Sequence, residues 1–357
     1  MRNSEQPAFK FAADGAFRRT LAGRVDAYFE KTRKRRTDAP AFYIKAALLA
    51  AWTAASYVLL VFAPATVAEA LFLAVSLGLS SILMAFNVYH DASHGAASTN
   101  PIINRIGLLM MDAAGVSSYV WTRKHNGMHH VFPNVHGYDC DLDAGPIARF
   151  AVQQERRPHH RLQPLYLWFA YGLYAFKWQW FDDFRPLFER RIGETRFQRP
   201  RGFDAVQFLL GKIVFFALAF AIPATRHDPL TVLAFYFLVY YVNGLVFVAV
   251  VMAAHVCESA ATPDGEAVRG KGDWARHQAE VTSDFAHDDR VLSWCLGGLN
   301  FHVEHHLFPR ICHVRYPDIA PIVRATCEEF GVPYNYTPSF AGALASHHRR
   351  LSALARD

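Results

Sequence analysis

The chain contains 357 residues, with a formal net charge of +6, a hydrophobic fraction of 52% and an aromatic fraction of 14%. Its mean hydropathy of +0.06 excludes a wholly membrane-embedded protein, whereas its long apolar segments exclude an ordinary soluble domain. The five cysteines form no Cys-x-x-Cys pair, so neither a disulfide framework nor a zinc ribbon is expected and the thiols should be reduced.

Residues 1–39 form a polar, basic segment without the apolar stretch and cleavage site of a secretory signal. Eight basic residues lie between Arg18 and Arg36, whereas residues 64–69, which link the first two apolar segments, contain none. Because basic residues are enriched in cytoplasmic loops, this asymmetry predicts that the N-terminal segment is cytosolic.

Four apolar segments are long enough to cross a bilayer. They lie near residues 46–63, 70–89, 208–224 and 230–254. The third contains Lys212, which we expect near a helix end or snorkelling to the interface. Two shorter apolar stretches, 106–121 and 162–176, are interpreted as helices in the membrane interface, because a lone span at either place would separate the histidine clusters described below.

No repeat and no Gly/Ser-rich linker divides the chain after the basic segment, so residues 40–357 are expected to form one membrane-integral domain. Four crossings return the chain to the cytosol. Residues 90–200 and 255–357 would then form a cytosolic helical cap. The predicted fold class is therefore all-α and integral to the membrane, with four transmembrane helices, interfacial helices and a cap.

Histidines cluster beside the apolar segments at helical spacings. The clusters are His90/His94, His125/His129/His130 and His302/His305/His306, and His255 follows the fourth segment directly. Residues four apart share a helix face, so His125 and His129 should face together while the adjacent His130 points elsewhere. Eight imidazoles exceed the four ligands of one zinc ion, which predicts a buried centre for more than one metal and hence an enzyme.

The imidazole ligands limit which metals the site could bind. Neutral imidazole suits iron, copper, nickel and zinc. A zinc protease would need His-Glu-x-x-His, which does not occur, because Glu304 stands in the wrong order after His302. Two histidine-bound iron ions with open positions would suit the activation of oxygen for attack on an unactivated C–H bond.

Three strings carry a resemblance to the histidine boxes of membrane fatty acid desaturases. They are Asn87-Val-Tyr-His90-Asp-Ala-Ser-His94-Gly, Lys124-His125-Asn-Gly-Met-His129-His130 and Asn300-Phe-His302-Val-Glu-His305-His306-Leu-Phe-Pro309. Within that family the chain is similar to bacterial acyl-lipid and linoleoyl-CoA desaturases, also through Gly137-Tyr-Asp-Cys-Asp-Leu-Asp143, Ala254-His255-Val-Cys-Glu258 and Cys312-His-Val-Arg-Tyr-Pro317.

The resemblance implies a cytosolic di-iron site, molecular oxygen as oxidant and removal of two hydrogens from a long acyl chain. The implied catalytic metal ligands are His90, His94, His125, His129, His130, His302, His305 and His306. We add His255 as a ninth ligand, because an ionisable group where a span meets the cytosol is more often functional than not.

Two departures from relatives affect the expected substrate and partners. Relatives that desaturate toward the carboxyl end commonly have glutamine at the position of His302, so their regiochemistry is not transferred. Those relatives often carry a fused haem domain with His-Pro-Gly-Gly, which this sequence lacks. A separate electron carrier, a ferredoxin or a cytochrome, is therefore expected, in a bacterial inner membrane and without a nucleic-acid partner.

Alternatives remain open on the sequence alone. The same scaffold could serve a hydroxylase or an acetylenase, and a metal transporter is a more distant possibility. Zinc could replace iron in purified protein because it binds such sites more tightly.

Residues near the clusters could orient the imidazoles by hydrogen bonds. The candidates are Asp91, His136, Asp139, Asp141, Asp143 and Asn300. His159/His160 and His347/His348 adjoin arginine pairs and are expected on the solvated surface.

Overall fold

The computed structural model describes residues 11, 15–63, 65–193, 195–269 and 272–356. Part of the predicted basic segment, residues 1–10 and 12–14, lies outside the described residues. Within the described ranges the chain is helical, with only two short two-stranded ladders. The all-α prediction is confirmed.

Four described helices are long and apolar enough to cross a membrane. They are the first span Pro40–Phe62, the second span Val67–Ser93, the third span Phe203–Thr225 and the fourth span Pro229–His255. Each contains the predicted apolar segment or nearly all of it and extends beyond it. Local signals set the helix starts, because Thr66 and Glu69 form a capping box before the second span and Asp228 accepts hydrogen bonds from Leu230 and Thr231 at the fourth.

The second span lies at the centre of the bundle, packed against the first and fourth spans. Gly78 permits the approach to the fourth span, because a Cβ atom there would lie 2.9 Å from the Val239 carbonyl oxygen. This packing brings His90, in the last turn of the second span, and His255, the last residue of the fourth span, into the same region of the protein.

The two shorter apolar stretches form helices that are not among the four span candidates. Pro101–Ala113 packs against the third span, and Gln163–Gly172 packs against the fourth span and the C-terminal helix Phe340–Arg356. Gly244 of the fourth span allows close contact with Gln163–Gly172, since an added Cβ would lie 2.7 Å from the Gly172 carbonyl oxygen.

Shorter elements complete the fold, and three of the turns lie within the second and third spans. The α-helices are Ala16–Thr32, Ser118–Trp121, Tyr174–Lys177, Arg185–Glu189, Gly265–Val268, Trp274–Val281, Arg290–Cys295, His302–Leu307 and Tyr316–Glu329. π-Helical turns occur at Ala85–Tyr89, Thr122–His129, Trp178–Asp182 and Ala217–Ala221, and 3₁₀ turns at Pro158–Leu162, Pro223–Thr225 and His313–Arg315. The strand pairs are Arg191–Ile192 with Thr195–Arg196, antiparallel, and Asp284–Phe285 with Tyr336–Thr337, parallel.

The prediction for Lys212 was wrong. This residue lies near the middle of the third span, is only 6% exposed and pairs with the buried Asp183 carboxylate at 2.6 Å. Its ammonium group also donates to the Gly115 carbonyl at 2.8 Å. Lys212 is satisfied inside the protein by partners from two neighbouring segments, so it does not need to reach the interface.

The prediction of a solvated surface was also wrong for His160 and His347. His160 is 1% exposed and His347 is 0% exposed. His347 donates from Nδ1 to the Val256 carbonyl and accepts at Nε2 from the Tyr171 hydroxyl, so both ring nitrogens are satisfied. His159 is exposed, as expected, and His348 is half-buried.

Candidate metal centre

The first histidine cluster ends the second span. A π-helical turn at Ala85–Tyr89 precedes the short α-helix His90–Ser93, which His94 ends. The rings of His90 and His94 lie 4.9 Å apart between centroids, as expected for residues four apart on a helix.

The second cluster lies on a π-helix, Thr122–His129. The histidines that share a face therefore differ from those predicted for an α-helix. In a π-helix the backbone bonds join residues five apart, and the His130 amide donates to the His125 carbonyl. His125 Nε2 and His130 Nε2 lie 3.1 Å apart. The prediction that His130 points away from His125 was therefore wrong, and it is His129 that turns toward a different set of histidines.

The third cluster and the end of the fourth span complete the site. His255 Nε2 lies 3.2 Å from His129 Nε2 and 2.8 Å from His302 Nε2. On the short helix His302–Leu307, His305 and His306 face different histidines, as expected for adjacent residues. Their ligand atoms join two separate groups.

All nine predicted histidines meet in one region. In the first group the ligand atoms of five residues lie within 4.8 Å of one another: His90, His94, His125, His130 and His305. The second group contains His129, His255 and His306 within the same limit, and His302 adjoins it through its contact with His255.

Hydrogen bonds at Nδ1 orient several rings so that Nε2 faces the centre. His302 donates to the Leu299 carbonyl at 3.0 Å, and His306 Nδ1 lies 2.9 Å from the Gln278 side-chain oxygen. His129 Nδ1 lies 3.0 Å from the Asp139 carboxylate, and His305 Nδ1 lies 3.1 Å from the Tyr316 hydroxyl. Such outer contacts fix the tautomer of metal-binding histidines.

The candidate orienting residues differ in what they contact. Besides Asp139, Asp141 approaches His129 Nδ1 at 3.6 Å. The other candidates bond elsewhere: Asp91 to His313, His136 to the Pro263 carbonyl, Asp143 to the Gly145 amide, and Asn300 to Phe285, Ala286 and Ser293.

Two residues that orient histidines, Gln278 and Tyr316, were not predicted from the sequence. Tyr316 lies in the string Cys312–Pro317 that carried part of the resemblance, whereas nothing in the sequence marks Gln278.

The arrangement of lone pairs fits a bound cation. A neutral His302 that donates from Nδ1 to a carbonyl has a bare lone pair at Nε2, and the same holds for His129 beside Asp139. Both lone pairs face the single Nε2 of His255, which can donate to only one of them. Nε2 of His94, His305 and His306 is also buried without any hydrogen-bond partner.

Electrostatics favour the neutral imidazole at four of these histidines, and His129 is the exception. Burial lowers the pKa of His302 to about 4 and, with His129 and Arg310, that of His94 to about 3. Burial and neighbouring histidines hold the pKa of His305 and His306 well below the usual value. Burial opposes protonation of His129 as well, but the Asp139 carboxylate outweighs it and the pKa of His129 is raised. Neutral imidazole is the metal-binding form.

An apolar cavity adjoins the histidines. This cavity, of about 140 Å³, is lined by His90, His125, His129 and His302 and extends to Ser81 and Asn243 within the second and fourth spans. Aromatic side chains form much of its wall. Trp121 stacks on His125 with centroids 4.3 Å apart and on Trp178 at 4.9 Å, and Phe247 lies against both tryptophans.

Two open pockets reach the same region from other sides. A polar pocket of about 590 Å³ is lined by Lys124, Asp139 and Lys177, and the Lys124–Asp141 ion pair at 2.9 Å lies between it and the apolar cavity. Burial opposes the charge of Lys124, but Asp141 raises its pKa above the usual value, so the pair is ionised. The third pocket is lined by His94, His130, Trp274 and Arg310.

Four spans and a buried cluster of imidazoles beside an apolar cavity define an integral membrane protein with a histidine metal site. Comparison with known proteins agrees: the family described as fatty acid desaturase matches residues 66–338. The chain belongs to the fatty acid desaturase family.

Individual relatives match over nearly the whole chain. The sn-1 linoleoyl-lipid 6-desaturase of Arthrospira platensis is 35% identical over 96% of this chain and 94% of its own length. The protein of the same name from Synechocystis sp. is 34% identical over 97% and 98%. The acyl-lipid (8-3)-desaturase of Physcomitrium patens is 33% identical over 92% of this chain and 69% of its own length.

These findings confirm the predicted enzyme class. The protein is a fatty acid desaturase, an oxidoreductase of lipid metabolism, and neither the hydroxylase alternative nor the transporter alternative is favoured.

Proposed function

We propose that the protein is an oxygen-dependent acyl-lipid desaturase with two iron ions held by its nine clustered histidines. The observation that carries this proposal is the position of the clusters, because four of the histidines form part of the wall of an apolar cavity that continues between the spans. The net reaction takes one acyl CH₂–CH₂ unit, one O₂, two electrons and two protons, and yields one CH=CH unit and two waters.

The first iron would be held by His90, His94, His125, His130 and His305, and the second by His129, His255, His302 and His306. Iron bound in such sites supplies the oxidising power that attacks an unactivated C–H bond. Zinc would occupy the same nitrogen ligands but has no redox chemistry, so a zinc-substituted sample should be inactive.

The protein itself positions the reacting carbons of the acyl chain and encloses them in an apolar wall. A methylene chain offers no hydrogen-bonding group, so only a close-fitting apolar wall can hold one pair of carbons beside the histidines. Trp121, Trp178 and Phe247 provide that wall, and they exclude water from the reacting carbons. Asp139, Gln278 and Leu299 hold the imidazoles in one orientation, so the site is preorganised.

The substrate is proposed to be an acyl chain carried by a membrane lipid, as the names of the relatives indicate for those proteins. The polar pocket beyond the Lys124–Asp141 pair suits the polar carrier group, since charged side chains line it and the apolar cavity begins on the other side of that pair. The acyl chain would then pass the histidines on its way into the bundle.

Electrons are proposed to come from a separate carrier of the ferredoxin or cytochrome type. The pocket at His94 and His130 gives such a carrier a direct approach to the histidines without entering the acyl cavity. The basic residues before the first span support a cytosolic location for this face in a bacterial inner membrane. Residues 40–357 would act as a single domain, with 90–200 and 255–357 as its cytosolic cap.

The test is product analysis in a host that lacks polyunsaturated lipids. Cells producing the full chain, supplied with oleic and linoleic acid, should form lipids with one additional double bond, detected by mass spectrometry of the acyl groups. The variant His129→Ala should abolish this product, whereas His159→Ala, which changes an exposed histidine, should not. A product heavier by one oxygen, with no new double bond, would reject desaturation.

The proposed requirement for iron is tested by measuring the iron content of the protein. Membranes purified from iron-fed cells should contain about two iron ions per chain if the two proposed ligand groups each bind one. Loss of that iron in His129→Ala, with unchanged protein yield, would support the assignment. Wild-type membranes that desaturate with no bound iron would contradict it.

A further inference from the structure

A small polar pocket lies between the helix Pro101–Ala113 and the beginning of the third span. It has a volume of about 190 Å³, and it shares no lining residue with the apolar cavity or with the two open pockets beside the histidines. The polar and charged residues that line it and carry the argument below are Arg105, Asp112, Ser118, Arg123, Asp204 and Gln207. The proposed reaction makes no use of this pocket.

The pocket lies at the level where a membrane span meets the lipid head groups. Arg105 lies beside Asp204, in the first turn of the third span, and two turns further on an added Cβ at Gly211 would lie 2.6 Å from the Asp112 side chain. The two helices therefore run side by side in the same direction and pack closely at Gly211. The pocket is the part of the groove that stays open near the end of the span, where the hydrocarbon core gives way to the head-group region.

Two guanidinium groups at the pocket can bind an anion. Arg105 is half-exposed, and its Nη2 lies 3.8 Å from the Asp204 carboxylate, which is too far for a hydrogen bond. Arg123 is exposed and donates to the Tyr119 carbonyl at 3.0 Å, a bond that leaves most of its N–H donors available. Because a guanidinium matches the geometry of phosphate oxygens, the two side chains suit a phosphate group.

Gln207 offers the opposite chemistry, an acceptor. Its side chain is 7% exposed, and its amide nitrogen donates to the Asp112 carboxylate and to the Ser118 hydroxyl. These two bonds fix the direction of the amide, and its buried oxygen has no hydrogen-bond partner among the described residues. Buried carbonyl oxygens normally accept a hydrogen bond, so a donor bound in the pocket would satisfy Gln207. The half-exposed Asp204 carboxylate favours a donor that carries positive charge.

We propose that the pocket binds the head group of one membrane phospholipid that carries both a phosphate and a primary ammonium group, as phosphatidylethanolamine does. The phosphate would contact Arg105 and Arg123. The ammonium group would donate to the Gln207 oxygen and pair with Asp204. The pocket is smaller than the roughly 300–1,000 Å³ of sites for drug-sized ligands, so it suits a small head group rather than a larger organic molecule.

The surface beside the pocket suits the acyl chains of such a lipid. Ile102 and Ile106 of the helix Pro101–Ala113 are exposed, and so are Val206 and Leu210 of the third span. An exposed apolar surface at the membrane is favourable only against hydrocarbon, so the acyl chains can lie on it while the head group occupies the pocket. This lipid is distinct from the substrate, because its pocket is separate from the cavity beside the histidines.

The experiment compares lipids that differ only in the head group. Purified full-length protein, stripped of lipid in detergent, is titrated with dimyristoyl phosphatidylethanolamine, phosphatidylcholine or phosphatidylglycerol, and the thermal unfolding midpoint is recorded at each concentration. Because a ligand of the native state raises the midpoint by mass action, the titration gives an apparent affinity. Phosphatidylethanolamine should bind about tenfold more tightly than the other two lipids, since only its head group has charged N–H donors.

Two variants test where the lipid binds. Arg105→Gln and Arg123→Gln should each weaken the binding of phosphatidylethanolamine about tenfold, because each removes a charged donor to the phosphate. Both arginines are at least half-exposed, so the variants should fold. Arg201→Gln is the matched control and should bind like the wild type, since Arg201 is exposed just before the third span and does not line the pocket.

Equal affinity for phosphatidylethanolamine in the wild type and in both pocket variants would overturn this inference, because the lipid would then bind elsewhere, for example in the apolar cavity. Equal or tighter binding of phosphatidylglycerol would exclude the ammonium group as the feature recognised. Inorganic phosphate that raises the midpoint as much as the lipid would show that the pocket is a site for a free anion. None of these results depends on whether the protein desaturates an acyl chain, so the proposed function is tested separately.

Discussion

The Asp139 carboxylate lies 3.0 Å from Nδ1 of His129, and the same oxygen accepts the Asn134 amide at 2.8 Å. Asp139 is therefore held by the backbone while it orients an imidazole of the second histidine group. Because the two contacts share one oxygen, a change of this carboxylate alters both the charge beside His129 and the loop that carries it.

Replacing Asp139 by Asn should weaken metal binding by about 10- to 100-fold and lower desaturation accordingly, as expected for loss of an orienting carboxylate. Iron content after dialysis against a chelator measures the effect. Asp143→Asn is the control, since Asp143 lies in the same loop but is exposed, and its carboxylate accepts a hydrogen bond from the Gly145 amide. Equal iron retention in the two variants would show that the Asp139 contact does not hold the metal site.

Tyr316→Phe should also reduce iron retention, by about tenfold, because it removes the oxygen beside His305 Nδ1 and keeps the ring. The change tests the first histidine group separately from the second. Tyr166→Phe removes a hydroxyl that bonds the Ile147 carbonyl away from the histidines, and it should retain iron like the wild type. Wild-type retention in Tyr316→Phe would exclude an orienting role for its hydroxyl.

Breaking the Lys212–Asp183 pair should destabilise the protein strongly. Lys212→Met leaves the Asp183 carboxylate buried without its cation, which costs about 3–5 kcal/mol in a buried pair. The thermal unfolding midpoint in detergent measures this loss, and Lys212→Met combined with Asp183→Leu should recover part of it. The pair of exposed Lys177 and half-buried Asp182 is the comparison, and Lys177→Met should cost at most about 1 kcal/mol.

A midpoint for Lys212→Met close to that of the wild type would show that Asp183 is protonated in the native protein. Burial favours that form, since it raises the pKa of Asp183 to about 6 despite the nearby ammonium group. Repeating the measurement on either side of that pKa separates the two cases.

His347 should make the protein less stable in acid. Burial lowers its pKa to about 4, whereas an unfolded histidine has a pKa of about 6.5, so the unfolded state takes up the proton first. The resulting stability is complete above about pH 6.5 and is lost as the pH falls toward 4, by at most about 3 kcal/mol. His347→Gln should flatten the dependence of the unfolding midpoint on pH in this window.

The exposed His159 supplies the control for that measurement, and His159→Gln should leave the slope of midpoint against pH unchanged. An unaltered slope in His347→Gln would mean that His347 becomes protonated without unfolding. The Tyr171 hydroxyl and the Val256 carbonyl would then have to rearrange around a charged ring.

The sequence was sufficient for features that depend on hydropathy or on regular helical spacing. The four spans follow from apolar length, and His90 and His94 face together because they are four apart on a helix. The pairing of His125 with His130 was not predictable in this way, because the backbone there is π-helical and spacing rules assume an α-helix.

Tertiary partners explain the remaining errors. Lys212 and His347 were assigned to an interface and to the surface from their neighbours in sequence, but Asp183 and Tyr171 satisfy them inside the fold. Gln278 reaches His306 from a helix that carries no histidine box. Such contacts join residues far apart in the chain, so no local pattern reveals them.

The nine histidines come from four separate segments, and the last of them, His302–Leu307, is near the C-terminal end of the chain. All four spans and this helix must therefore be translated before either ligand group is complete. Under the proposed function, metal loading is then a late step of biogenesis, and a truncated or misinserted product would leave the membrane without a complete metal centre.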